Sequence, residues 1–255
     1  MEENGNNELA RNLKSRHVQL IAIGGTIGTG LFLGAGSSIH LAGPSILLAY
    51  IVTGLVCFWL MRALGELLLS DLESTSFVTF VTKYLGKKVG FVTGWTYWVC
   101  WITIAMAEIT ATGMYVRYWF PSVPQWIPGF IILILLIGLN LITVEAFGET
   151  EFWFSIIKVV TIILMIIAGL GVILFGFGNH GVAVGVSNLW KNGGFFTGGI
   201  KGFFFALSIV VASYQGIELI GMTAGEAAEP KKTIIEAVQS TLGRILIFYL
   251  SLIHI

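Results

Sequence analysis

The sequence predicts an all-α polytopic membrane protein. Three observations carry this. Apolar residues make up 56% of the 255-residue chain and charged residues 11%, against roughly 25% charged in an average soluble domain. Mean hydropathy is +0.87. Charge-free runs extend over 17–61, 118–144 and 159–190, each long enough to hold the ~20 apolar residues that cross a bilayer. A chain this apolar has too little polar surface to remain soluble. Formal net charge is zero, which gives no basis for nucleic-acid binding. The two cysteines, Cys57 and Cys100, both lie in apolar spans, so neither a disulfide framework nor a metal site is suggested.

The elements follow in order. Residues 1–17, MEENGNNELARNLKSRH, form a polar tail. It imitates the start of a signal peptide, but the spans that follow and the lack of a convincing cleavage site favour a retained first helix. Seven spans are expected, at 18–38, 43–69, 89–117, 126–144, 151–176, 200–222 and 238–255. The expected loops are 70–88, 118–125, 145–150, 177–199 and 223–237. Trp119, Trp126 and Trp190 fall near span ends, where amphipathic rings prefer the headgroup layer. The seventh span stops with no polar tail after it, and the expectation is a chain cut short.

Lysine and arginine fix the expected orientation. With the N-terminus inside, Arg11, Lys14, Arg16, Arg62, Lys83, Lys87, Lys88, Lys231, Lys232 and Arg244 are cytoplasmic or near that face. Arg117, Lys191 and Lys201 fall outside, and Lys158 lies within a span. Ten against three is a positive-inside bias, and it places residues 1–17 in the cytoplasm.

Ionisable groups inside a bilayer are costly and point to function or to internal pairing. Three stand out: Glu108, Lys158 and Glu218. Each is either a functional group or an internally paired structural one. Lys158 lies about seven residues into the fifth span, roughly 10 Å deep at 1.5 Å per residue. Desolvation there disfavours the charged ammonium, so the group could gain and lose a proton during a cycle. Glu108 could likewise be neutral when desolvated.

The first span contains GGTIGTGLFLGAG, residues 24–36, with six glycines. A dinucleotide-binding loop needs a preceding strand and an acidic residue about 20 positions on, and here the next charge is Arg62. Small-xxx-small packing of helices is the stronger rival. The sixth span, however, carries a second such place, VASYQGIELIGMTAG, with Gln215, Gly216 and Glu218 together. Two interrupted spans, five helices apart, are the signature of inverted-repeat transporters. Broken backbone frees N–H and C=O groups that a polar cavity tolerates and lipid does not. Free N–H groups at a half-helix start suit a carboxylate, and carbonyls at a half-helix end suit an ammonium. A pocket offering both suits an α-amino acid.

The residues that carry a family resemblance are GGTIGTGLFLGAG, GPSILLAY, MRALGELL, FVTGWTYWVCW, MAEITATGMYVRYWFP, FGETEFWFSIIKVV and SYQGIELIGMTAGEAAEPKKT. In this order they resemble the bacterial amino acid permeases of the amino acid–polyamine–organocation superfamily, over about residues 11–249. Within that group, IAGLGVILFGFGN and the stretch from Gly193 to Ala227 are most similar to threonine/serine proton symporters. GWTYWVCW is also similar to D-alanine/D-serine/glycine permeases, and aromatic or lysine permeases are further alternatives.

The resemblance implies an inverted-repeat transporter with discontinuous helices 1 and 6. A first repeat would cover about 18–176, and an incomplete second repeat about 200–255. Seven spans would be present of an expected twelve or so, with pocket residues of helices 8 and 10 absent. It implies no enzyme activity and no cofactor. The partners would be an amino acid, a proton and the lipid bilayer of the bacterial cytoplasmic membrane. Gly28, Thr29 and Gly30 fall on the break that takes the substrate carboxylate, with Gly25 and Thr26 lining it. Tyr214, Gln215, Gly216 and Ile217 fall on the second break, near the substrate amino group and side chain. Glu218 matches an acidic gating residue that ties the broken helices together. Lys158 matches a lysine standing where sodium-coupled relatives bind an ion, which implies proton coupling. Tyr97 and Glu108 match third-helix positions facing the pocket. A channel or a non-transporting sensor on the same fold is the remaining alternative.

Overall fold

A computed structural model describes residues 24–25, 27–72, 74, 76–141, 144–178, 180–183, 185–191, 193–219 and 230–245. Among them there is no strand; helices joined by turns make up the fold. The tail at 1–17 and the site candidate Thr26 lie outside the described residues.

Gly24 and Gly25 are helical, but Gly28, immediately before Thr29, is extended, at φ −133° and ψ −163°. A short helix α1 (Thr29–Phe32) then leads, through a single turn residue, into α2 (Gly34–Ala42). Gly43–Ser45 forms a 3-10 turn with Pro44 in its first positions, where a missing N–H costs nothing. Helix α3 (Ile46–Ser70) follows.

The next helix was not expected. Residues 70–88 read as a polar loop, yet α4 (Phe77–Leu85) forms within them. Its signals are local. The Ser76 side chain caps the start by accepting from Val78 N at 3.2 Å, and Gly86 ends it at φ +93°. Phe77, Phe80, Val81, Tyr84 and Leu85 recur at helical spacing, which gives the helix one apolar face.

Helices α5 (Lys87–Trp119) and α6 (Trp126–Asn140) match the third and fourth expected spans. Helix α7 (Val144–Phe175) takes in the whole of the expected 145–150 loop. The stretch VEAFGET contains no proline to break a helix. A short α8 (Asn188–Lys191) interrupts the glycine-rich connection to α9 (Gly199–Ser213). Helix α9 ends well before the expected 222, because turns occupy 214–218. Helix α10 (Pro230–Ile245) already covers the eight residues before the expected 238.

The core lies where α1, α2, α3 and α9 meet. Ile27, Leu31, Ile46, Tyr50, Val210 and Tyr214 are buried there. Helix α9 packs along α2 and α3, α10 along α3, α4 along α5, and α5 along α6. Small residues let α2 and α9 approach closely: a Cβ on Gly198 or Gly202 would collide with the Leu41 carbonyl. Away from this core the helices present bare apolar side chains, among them Phe91, Trp95, Phe130, Ile137, Leu164 and Phe204, all more than half exposed. Gly34–Ser70, Lys87–Trp119 and Gly148–Phe175 are long and apolar enough to cross a membrane, and Trp126–Asn140 and Gly199–Ser213 are shorter apolar helices. An outer surface of this kind suits lipid.

Candidate functional site at two helix breaks

The first break runs from Gly24 to Thr29, and each of its ends meets a side chain of opposite polarity. Gly24 and Gly25 are helical and Gly28 is extended. Carbonyls at the end of a helix carry partial negative charge, and N–H groups at its start carry partial positive charge. Lys158, from α7, donates from Nζ to the Gly24 carbonyl at 2.8 Å. Glu108, from α5, accepts at Oε1 from Thr29 N at 3.1 Å and from Thr29 Oγ1 at 2.9 Å. Two of the three ionisable residues singled out inside the spans are therefore joined to the same interrupted segment. One supplies an ammonium, the other a carboxylate.

The second break follows Ser213. Gly216 has φ +97°, a conformation that residues with a Cβ rarely adopt. Its N–H donates to Glu218 Oε2 at 3.1 Å, and Tyr97 on α5 donates its hydroxyl to Glu218 Oε1 at 3.1 Å. Glu218 thus ties the second break to α5.

The two breaks touch each other directly. A Cβ on Gly216 would stand 2.7 Å from the Gly25 carbonyl oxygen, and one on Gly30 would stand 2.8 Å from Ser213 Cα. Ser213 Oγ lies 3.0 Å from the Gly30 carbonyl oxygen. Close packing and chain interruption, which the sequence poses as rival explanations of the glycines, occur together here. Gly24 is pressed against Ser155, Gly28 against Glu108 and Gly34 against Ile209, whereas Gly36 has nothing within 4 Å.

Side chains on the second break point in different directions. Tyr214 is buried, and its hydroxyl donates to the Tyr50 carbonyl at 3.1 Å, so it anchors the break to α3. Ile217 is also buried. Gln215 faces α5, where its Nε2 contacts Cys100 Sγ. Tyr97, Cys100, Gln215, Ile217 and Glu218 line one wall of a cavity of about 710 Å³, whose other walls come from α3 and α4. Eleven residues separate Tyr97 from Glu108 on α5, about 16 Å at the helical rise. The same helix therefore reaches the second break with one end of this segment and the first break with the other.

Ser213, Tyr50 and Ser155 take part in this arrangement without having been singled out by the sequence, where Cys100 stands out only as a cysteine in an apolar span. Ser213 and Tyr50 stand inside the quoted stretches SYQGIE and GPSILLAY, but nothing in one sequence pairs them. Among the described residues no group of three or more metal-ligating side chains gathers.

The family model described as amino acid permease matches residues 17–255. The chain is 56% identical over 250 residues to the probable threonine/serine transporter YbxG of Bacillus subtilis, covering 98% of this chain and 54% of that protein. It is 53% identical over 248 residues to the amino-acid permease AapA of the same organism, covering 97% and 54%. It is 48% identical over 242 residues to the D-serine/D-alanine/glycine transporter of Escherichia coli K12, covering 94% and 52%. The chain spans about half the length of these curated relatives, all of which are named as transporters or permeases rather than enzymes. A multi-helix membrane chain with this match over nearly all its length belongs to the amino acid permease family.

Proposed function

We propose that this chain carries the substrate-binding helix breaks of a secondary active transporter. The transporter imports a small neutral amino acid, threonine- or serine-like, together with a proton across the bacterial cytoplasmic membrane. The N-terminus is cytoplasmic, and the helices belong to two inverted repeats whose discontinuous members are the first and sixth spans.

The observation that carries this reading is the first break itself. It holds an ammonium at Gly24 and a carboxylate at Thr29, the two charged groups of an α-amino acid. Here the protein supplies both. A zwitterionic substrate offers the same groups, so its carboxylate competes with Glu108 for the donors of Thr29. Its amino group is taken by carbonyl oxygens of the turn at Gln215 and Gly216. Lys158 and Glu108 hold the two ends of one segment, and loss of the Lys158 proton would weaken its hold on the Gly24 carbonyl. That links proton movement to substrate binding without any covalent chemistry.

Transport then proceeds by alternating access. The bundle that contains the first, second, sixth and seventh spans rocks against a scaffold that includes the third and fourth. Ser213, Gly30, Gly216 and Gly25 keep the two breaks together as they move. The test is uptake by the full-length gene product in a strain lacking its own amino acid permeases, with all amino acids as competitors. Threonine and serine should compete best, and uptake should collapse when the proton gradient is discharged. Competition dominated by D-serine, D-alanine and glycine would move the substrate assignment, and uptake indifferent to the gradient would remove the coupling.

A further inference from the structure

We infer that Cys100 and Gln215 form the part of the pocket that reads a hydroxyl on the substrate side chain. The inference rests on the amino acid transport proposed above.

The cavity between α3, α4, α5 and the second break is lined chiefly by apolar side chains such as Leu60, Leu64, Phe80 and Val81. Apart from the Tyr84 hydroxyl on α4, four polar side chains line it, all on the wall beside the break. Two of them, Tyr97 and Glu218, are joined to each other. The other two are Cys100 and Gln215, also joined to each other. An amide N–H is a good donor, whereas a thiol sulfur is a weak acceptor. Gln215 therefore holds a partner that an oxygen can displace at a gain.

A substrate hydroxyl inserted between the two completes a chain of hydrogen bonds. Its oxygen accepts from Gln215 Nε2, and its O–H donates to Cys100 Sγ. A methyl or hydrogen in that place leaves the amide facing an apolar group. A site built to bond a hydroxyl discriminates against the analogue lacking it far more strongly than an apolar pocket discriminates by size. Cys100 stands three residues after Tyr97 on α5, so both project from one face of the helix toward the break. Glu218, held by Tyr97, sets the position of the Gln215 backbone through Gly216. The pair is thus a specificity element mounted on the same supports as the break.

The experiment compares threonine with 2-aminobutyrate, which has the same skeleton without the hydroxyl, in the full-length gene product. The wild type is expected to favour threonine in kcat/KM by at least about tenfold. Gln215→Leu and Cys100→Ala should each shrink that ratio severalfold, chiefly by raising KM for threonine. A second measurement uses the wild type alone: mass-spectrometric detection of Cys100 alkylation by a membrane-permeant maleimide. Threonine should slow the labelling, and 2-aminobutyrate at equal occupancy should slow it less. Threonine uptake with an unmoved ratio in both variants, or equal protection by both amino acids, overturns the inference and leaves amino acid transport standing. No uptake of any amino acid by the wild type overturns the transport reading, and this inference with it.

Discussion

Substitution of Gly216 by alanine tests the paired breaks most directly. Two separate costs arise. The residue has φ +97°, and holding a residue with a Cβ in such a region costs about 1–3 kcal/mol. The new Cβ would also stand 2.7 Å from the Gly25 carbonyl oxygen, closer than carbon and oxygen approach without bonding. One break must therefore move away from the other by several tenths of an ångström. A backbone cost of even 1.4 kcal/mol changes an equilibrium tenfold, so uptake normalised to inserted protein should fall at least tenfold. Gly36→Ala is the matched control. Gly36 is helical, with nothing within 4 Å of the added methyl, so alanine there should stabilise by about 0.5–1 kcal/mol and leave uptake unchanged. Thermal unfolding in detergent and initial uptake rates read the two effects separately. Equal tolerance of alanine at Gly216 and Gly36 would refute the claim that the breaks are held by contact.

Four further outcomes are expected. Lys158→Ala removes the 2.8 Å bond to the Gly24 carbonyl, and a bond to a charged group contributes about 1.5–3 kcal/mol. Accumulation against a gradient should be lost, and unchanged accumulation would argue against coupling through this lysine. Glu108→Gln keeps an acceptor for Thr29 but loses the charge, which roughly halves the strength of such bonds. Counterflow of substrate should persist while gradient-driven accumulation falls; the loss of both would make Glu108 a purely structural support. Tyr97→Phe deletes the hydroxyl bonded to Glu218 at 3.1 Å, a loss of about 1 kcal/mol or more. Uptake should drop severalfold without loss of inserted protein. Ser76→Ala removes the cap of α4, worth about 1 kcal/mol, and should speed hydrogen exchange over residues 77–85 relative to α5.

Much of the arrangement was legible in the sequence, for physical reasons that can be named. Glycine and polar residues in mid-span, at Gly28 and again at Gly216, conflict with lipid unless the backbone they free is used. Lys158 and Glu108 stood out because a bilayer makes such groups costly, and both are joined to the first break. Their assignment to opposite ends of it was not legible, since that depends on how α5 and α7 rotate. The contact of Gln215 with Cys100 and of Tyr214 with Tyr50 joins residues 115 and 164 positions apart, and no local pattern records such pairs. Helix α4 was missed for another reason. Its apolar spacing was present, but the lysines and hydroxyl residues around it read as a loop.

The contacts of the two breaks also carry an order in time. Everything that satisfies the first break among the described contacts, Glu108 and Lys158, lies before residue 159 in the chain. The second break is held by Tyr97, Tyr50 and Gly30, all of which the ribosome has delivered long before Gly216 appears. During synthesis the first break can thus settle with its own charged partners while the sixth span is still unmade. The later break then arrives at a surface already shaped to receive it. A nascent chain halted after α7 should already shield Lys158, whereas Glu218 should acquire its protection only once α9 has entered the bilayer.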